Sequence, residues 1–275
     1  MIDAAEKKRL EEIGQRLRRH VMDMLYHSQS GHPGGSLSLA DVMSVLYFHT
    51  LRYRVDEPDF PGRDRVVLSK GHAAPILYAT LAEAGFFPVE ELSTLRKTGS
   101  RLQGHPCIDI PGVDLTTGSL GLGLSGACGM AIGARQNGLD DVRVFAIVGD
   151  GELGEGQIWE AALAAPNFGL GNLTVVIDRN RYQNDGGTEE ILTLEPLVQK
   201  WESFGWNTLE IDGHDIAEIA AAFEASAEDP KVPTAIVANT IKGKGVSYLI
   251  DRPELHYTAP NQDQRDQAIR ELSGV

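Results

Sequence analysis

Val142-Arg143-Val144-Phe145-Ala146-Ile147-Val148-Gly149-Asp150-Gly151-Glu152 opens the stretch whose reading decides the fold, and Leu173-Thr174-Val175-Val176-Ile177-Asp178-Arg179-Asn180 closes it. The first seven residues are almost continuously apolar and mostly β-branched, which predicts a parallel strand covered on both faces. Gln157 to Ala165 reads as a helix, and Leu173 to Ile177 as a second buried strand. Ligands of open α/β sheets collect outside the carboxyl ends of strands. Asp150 and Asn180 fall at two such ends, which we read as neighbours. A carboxylate, an amide oxygen and closely approachable glycine backbone form an all-oxygen set suited to a hard cation such as Mg²⁺, with phosphate completing its shell. Taken alone, Gly149-Asp150-Gly151 equally suits a plain strand-to-helix turn, since Gly and Asp are turn residues. The asparagine at the next strand end favours a site.

Working outward, residues 4–27 place Leu10, Ile13, Leu17, Val21 and Met24 on one face of an amphipathic helix. Gly31-His32-Pro33-Gly34-Gly35 breaks it, and Ser38 is the expected N-cap of a second helix reaching about Leu51. Arg65 to Leu68 is a short strand. It runs through Ser69-Lys70-Gly71-His72 into a helix ending near Ala84, so His72 sits where a helix N-terminus favours anions. Gly104-His105-Pro106 lies in the following loop. The glycine-rich run Thr116 to Leu124 then precedes a small-residue helix, Ala127 to Ala134. Those glycines permit close approach of a ligand and, equally, close helix packing.

Beyond Asn180, Gln183 to Thr188 reads as a polar turn, Leu194 to Phe204 as a helix and Trp206 to Ile211 as a strand. Ile216 to Ala227 reads as a helix and Thr234 to Asn239 as a last strand. The loop Thr240-Ile241-Lys242-Gly243-Lys244-Gly245 lacks the Walker order and is assigned no nucleotide. The tail after Pro260 reads as an exposed helix. Strands alternating with helices predict an α/β fold, a doubly wound, mainly parallel sheet with helices on both faces. We expect one domain over residues 1–275, with a helical segment 1–30 and a tail 260–275.

At 275 residues, with 42% apolar and 23% charged residues, the chain can bury a full core. A formal charge of −14 offers no basic excess to displace counterions, so nucleic acid is an unsuitable partner. An anionic ligand remains compatible, because a metal and oriented N–H groups reverse the local field. Cys107 and Cys128 have no metal-ligand spacing and read as reduced thiols, which points to the cytoplasm. The charged N-terminus carries no signal-like apolar core, and no run approaches the ~18 apolar residues of a membrane span.

Gly149-Asp150-Gly151, 28 residues and then Asn180 resemble the diphosphate-binding motif of thiamine diphosphate enzymes. Further segments are similar to the amino-terminal part of transketolase. They are Gly31-His32-Pro33-Gly34-Gly35, Lys70-Gly71-His72-Ala73-Ala74-Pro75, Gly104-His105-Pro106, Thr116 to Gly121, Glu155-Gly156 and Thr240 to Ser247. They follow the family's order over roughly residues 10–258. The resemblance implies that Asp150, Asn180 and the carbonyl of Tyr182 bind Mg²⁺ or Ca²⁺, and that Gly151 N–H contacts the diphosphate. It also implies that His72 reaches the thiamine diphosphate and that the Gly118-Ser119-Leu120 backbone runs along it. His32, His105 and His256 would line the channel where donor and acceptor sugars react, with His256 also near the cofactor. Histidines titrating near neutrality would suit those proton transfers. Glu155 resembles a carboxylate that links two active sites across a dimer. Two departures stand out: Arg179 where many members have Asn, and Leu255 where Trp is common.

The resemblance implies two-carbon ketol transfer between sugar phosphates, with the cofactor carrying the carbanion chemistry. Transketolases in one polypeptide are more than twice as long. The region that binds the aminopyrimidine and supplies its activating glutamate is therefore expected on a companion chain, in an α₂β₂ assembly. The α chain of a 2-oxo-acid dehydrogenase is the rival enzyme, and a non-catalytic thiamine diphosphate-binding module the rival of another class. The Gly-His-Pro and Lys-Gly-His segments favour transketolase.

Overall fold

The structure is a computed structural model that describes residues 2–274, so the two end positions of the expected domain lie outside it. Among the described residues, the strands are β1 (Arg65–Leu68), β2 (Val144–Gly149), β3 (Leu173–Arg179), β4 (Asn207–Asp212) and β5 (Thr234–Asn239). They form one sheet in the order β1-β2-β3-β5-β4, and every pair is parallel. The helices are α1 (Ala4–Ser28), α2 (Pro33–Leu37), α3 (Ala40–Val45), α4 (Ala74–Glu83), α5 (Leu122–Gln136) and α6 (Gly156–Asn167). They continue with α7 (Thr188–Ile191), α8 (Leu197–Ser203), α9 (Ile216–Ala225) and α10 (Gln262–Ser273).

Side chains alternate across a strand, so a sheet covered on both sides divides each apolar run between two cores. Phe145, Ile147, Val176, Ile236 and Ala238 join the core built by α1, α3, α4, α9 and α10. Val144, Ala146, Val148, Val175, Ile177, Ala235 and Val237 join the other, with α5, α6 and α8. The sheet is therefore doubly wound, as expected. Phe223 of α9 meets Phe145 edge-on at 5.6 Å, an arrangement worth about 0.5–1.5 kcal/mol beyond its buried area. Strand β4, at the sheet's edge, is only partly buried.

Two expectations are corrected. Ser38 does not cap a second helix: helix begins earlier, because Pro33 at the first helical position is pre-set for it. The segment then runs as α2, α3 and a wider turn of helix from Leu46 to Thr50. Ser38 Oγ instead donates to Asp178 Oδ2 at 2.8 Å. The tail is not simply exposed. Asn261 and Gln264 form a capping box that starts α10, and Ala268 and Leu272 are buried where α10 packs on α1.

Because all strands are parallel, their carboxyl ends share one edge. There Gly149 stands opposite Asp178, and Asp178 opposite Ala238. The residues just beyond β1, β2, β3 and β5 thus begin Ser69-Lys70, Asp150-Gly151, Asn180-Arg181 and Thr240-Ile241-Lys242.

Candidate active site at the carboxyl edge of the sheet

Asp178 is the hub of this edge. Its fully buried carboxylate accepts hydrogen bonds from Lys70 Nζ, Ser38 Oγ, Thr240 Oγ1 (2.5 Å) and Asn180 Nδ2 (2.9 Å). Burial pushes its pKa up, but the Lys70 charge and these donors outweigh burial and hold it below the usual carboxylate value. One side chain thereby fixes the ends of β1 and β5, the start of α3 and the Asn180 amide. With its NH₂ spent on Asp178, Asn180 leaves Oδ1 as its outward atom, which accepts from Tyr182 N at 3.2 Å and keeps a lone pair.

Asp150 lies beside it. Its Oδ1 accepts from Gly151 N at 2.9 Å; its Oδ2 accepts from Arg181 N at 2.5 Å and Arg179 Nη1 at 3.1 Å. Burial and the neighbouring Asp178 charge nevertheless push its carboxyl up to about 6. Arg179, the departure from the family pattern, is buried and also pairs with Glu189 and Glu195, while donating to Thr188 Oγ1. It ties the segment around α7 to Asp150.

Glu152, which sequence reasoning passes over, supports the glycine loops. Its carboxylate accepts from Ser69 Oγ at 2.5 Å, Gly121 N at 2.8 Å and Gly149 N at 3.1 Å. Burial raises its pKa against those bonds. Glycine is required where the loops touch: a Cβ at Gly71 would come within 2.8 Å of Thr117 Oγ1 and 3.0 Å of Gly118 N.

The histidines converge. The ring of His32 lies 5.2 Å from those of both His72 and His256, and the last two are 5.5 Å apart. A cavity of about 370 Å³ is lined by these three, by His105, Gly118 and Leu120, and by Asp150, Gly151, Asn180 and Tyr182. Ten of the twelve residues singled out in the sequence therefore meet in one place. Ser119 and Glu155 do not line it. Both are exposed, and Glu155 stands just before α6, its Cβ near the space over Gly121.

One chemical expectation is overturned. Burial first, then neighbouring cationic groups, hold His32 and His256 at about 4, below neutrality. His72 is driven well below its ordinary value, and His105 is also lowered, both chiefly by burial. The cluster is neutral at pH 7, a set of hydrogen-bonding groups rather than stored protons. His32 Nδ1 is buried without a partner, an atom that a ligand hydrogen bond would satisfy.

Two lysines missed as site residues supply the positive charge. Lys70 and Lys242 both line the cavity, and both are almost fully buried. Burial and the Lys70 charge bring the Lys242 pKa down to about 8. Gly34 makes room for it, since a Cβ there would meet Lys242 Cγ at 2.8 Å. The signal was present in the Thr240 to Gly245 loop, set aside because it lacks the Walker order. Lysines at two strand ends, with the carboxylate of Asp150 and the amide oxygen of Asn180 beside them in the same cavity, fit a diphosphate held with a hard cation.

Comparison with known proteins agrees with this geometry. Residues 10–274 match the family model described as transketolase, thiamine diphosphate binding domain. A subunit of the apulose-4-phosphate transketolase of Phocaeicola vulgatus is 41% identical, over 96% of this chain and 94% of the relative. The SqwG subunit of a 6-deoxy-6-sulfo-D-fructose transketolase, from a Clostridium species, is 44% identical, over 88% of each. Transketolase of Homo sapiens is 40% identical over 98% of this chain, which spans only 43% of that longer protein. The crystal structure of transketolase from Campylobacter jejuni superposes with a TM-score of 0.91 at 32% identity, over 97% of this chain and 43% of that one. The fold and site define a thiamine diphosphate-binding protein. The chain belongs to the transketolase thiamine diphosphate-binding domain family. Its chemistry is that of a transketolase, the transfer of ketol groups.

Proposed function

We propose that this chain is the diphosphate-binding half of a split transketolase and works only with a companion chain. The observation that carries the reading is the cavity itself, where Asp150, Asn180, Lys70, Lys242 and four histidines converge. Relatives of matching length are named as subunits, whereas this chain spans less than half of the single-chain enzymes. The assembly is α₂β₂, the whole of residues 1–275 acts as one domain, and Glu155 faces a second active site. Unpaired Cys107 and Cys128 fit a cytoplasmic setting.

In this reading Asp150, Asn180 and the Tyr182 carbonyl hold Mg²⁺ or Ca²⁺, which neutralises diphosphate charge. The cofactor supplies the carbanion-stabilising chemistry. Lys70, Lys242 and Gly151 N–H grip the diphosphate, His72 and the Gly118-Ser119-Leu120 backbone flank the rings, and His256 reaches the same space. His32, His105 and His256 orient sugar hydroxyls and carbonyl through hydrogen bonds and exclude bulk water. Their pKa values are all lowered, so each can donate from one ring nitrogen and accept at the other. The substrates are sugar phosphates. In support, the name of one of the two shorter relatives specifies a sugar phosphate, and that of the other a sulfo sugar, also an anion.

The test is a donor–acceptor panel on the complex with its companion chain. Two-carbon transfer to aldose acceptors is expected; decarboxylation of 2-oxo acids without ketol transfer would overturn the reading.

A further inference from the structure

Arg179 stands where many members of the family have Asn, and the fold buries it beside the candidate cation ligands. Its Nη1 donates to Asp150 Oδ2 at 3.1 Å and to Thr188 Oγ1 at 2.7 Å. Its Nη2 donates to Glu189 Oε1 at 2.7 Å and to Glu195 Oε1 at 2.9 Å. Both glutamates are held in turn by backbone N–H groups, Glu189 by Leu194 at 3.1 Å and Glu195 by Leu197 at 2.8 Å. The guanidinium is thus clamped from its far side, and its one positive charge faces two negative ones there. It lies against Asp150 without adding net positive charge to the place where a cation would bind.

The consequence lies in the lone pairs. Each carboxylate oxygen offers about two. Both of those on Asp150 Oδ2 are taken, one by Arg179 Nη1 and one by Arg181 N at 2.5 Å. Arg181 sits in a left-handed backbone conformation at φ 69, unfavourable for a non-glycine residue, so the fold holds this arrangement against strain. Oδ1 accepts a single bond, from Gly151 N at 2.9 Å, and is the oxygen left for a cation in the cavity that Asp150 lines. Asn180 likewise offers one oxygen, because its NH₂ is spent on Asp178.

We propose that Arg179 is a specificity-determining residue for the cation: by closing Asp150 Oδ2 it makes that carboxylate a one-oxygen ligand and favours Mg²⁺ over Ca²⁺. The proposal rests on reading this cavity as a cation and diphosphate site, and adds a choice between the two ions. Mg²⁺ takes about six oxygens in near-octahedral order, whereas the larger Ca²⁺ takes roughly six to eight and often draws both oxygens of a carboxylate. A carboxylate with one oxygen closed suits the first ion and handicaps the second. Glu189 and Glu195 balance charge, which acts on both ions alike.

The experiment is calorimetry of Mg²⁺ and, separately, Ca²⁺ binding to the complex with the companion chain, at saturating thiamine diphosphate. It compares wild type, Arg179→Met and Glu195→Gln, with free thiamine diphosphate as the reference and circular dichroism as the check on folding. Wild type should favour Mg²⁺ beyond the preference of the free cofactor. Arg179→Met opens Oδ2 and should shrink the Mg²⁺ to Ca²⁺ affinity ratio roughly 10-fold, about the worth of one hydrogen bond to a charged group. Glu195→Gln keeps the bond from Arg179 to Asp150 and should weaken both ions together, leaving the ratio unchanged. A wild type that favours Ca²⁺, or neither ion, overturns the proposal whether or not a variant folds. So does an unchanged ratio in folded Arg179→Met, or an equal shift in Glu195→Gln. If the same complex lacks ketol transfer but shows the ratio shift, the catalytic reading falls and the role of Arg179 stands. Ketol transfer without any preference between the ions keeps that reading and removes this role.

Discussion

Lys242 Nζ lies 3.1 Å from His256 Nδ1, and after burial that ammonium is the strongest influence holding the imidazole at about 4. A lysine from the β5 loop thus sets the protonation state of a histidine 14 residues further on. His32 is held at about 4 in the same cavity, by burial and then by Arg96.

The sign of the pH effect follows. Folded-state values near 4 lie below the ordinary 6.5, so the unfolded chain binds more protons in between. Their contribution to stability is whole above pH 6.5 and is lost as pH falls towards 4. A His32→Gln, His256→Gln double variant should show a flatter decline in urea midpoint from pH 7 to 4 than wild type. Parallel declines would mean that these rings titrate normally.

Asp41 gives a second pH test away from the cavity. Burial raises its pKa, but Arg18, at 2.6 Å, and His214, at 2.7 Å, outweigh burial and lower it to about 2. The shift from 3.8 corresponds to about 2 kcal/mol, present above pH 4 and lost as pH falls through 2. Because His214 Nε2 accepts from Ile241 N at 2.9 Å, the same network fixes the loop that carries Lys242. Asp41→Asn should cost at least that amount at pH 7, with a gap that narrows below pH 4. A gap independent of pH would show that Asp41 acts by shape alone.

Asp178→Asn should be costlier, because it leaves Lys70 buried beside a neutral amide. Breaking a buried pair by removing one partner typically costs about 3–5 kcal/mol. Adding Lys70→Met should restore part of the loss in urea denaturation, since the orphaned charge goes with it. A double variant less stable than Asp178→Asn would argue that packing, not charge, dominates.

Asp150→Asn should abolish Mg²⁺-dependent thiamine diphosphate binding while leaving the sheet folded. It removes a charged oxygen at a strand end, and the loss should exceed the roughly 100-fold typical at the upper end for outer-shell changes. Calorimetry with and without Mg²⁺, alongside circular dichroism, decides it; unchanged affinity would reject the site.

Much of the fold was legible in sequence because the periodic signals were strong. The runs Val144 to Gly149 and Thr234 to Asn239 are nearly uninterrupted apolar strands, and their ends located Asp150 and the Lys242 loop. Ser38 was misread because capping chemistry is local, whereas its hydroxyl is claimed by Asp178, 140 residues away. Glu152 and Asp178 were passed over for the same reason: a buried carboxylate is recognisable only from the donors that tertiary structure brings to it. The histidine positions were readable, but their protonation was not, since burial and the Lys242 and Arg96 charges are properties of the fold.

The central claim is that this chain supplies half of an active site. It is tested most directly by a ketol-transfer assay on the purified chain, with mass measured by light scattering, before and after adding the companion chain. The account predicts no turnover alone, even when thiamine diphosphate and Mg²⁺ are bound, and activity that appears with formation of the mixed complex. Robust transfer by this chain free of any companion would contradict it.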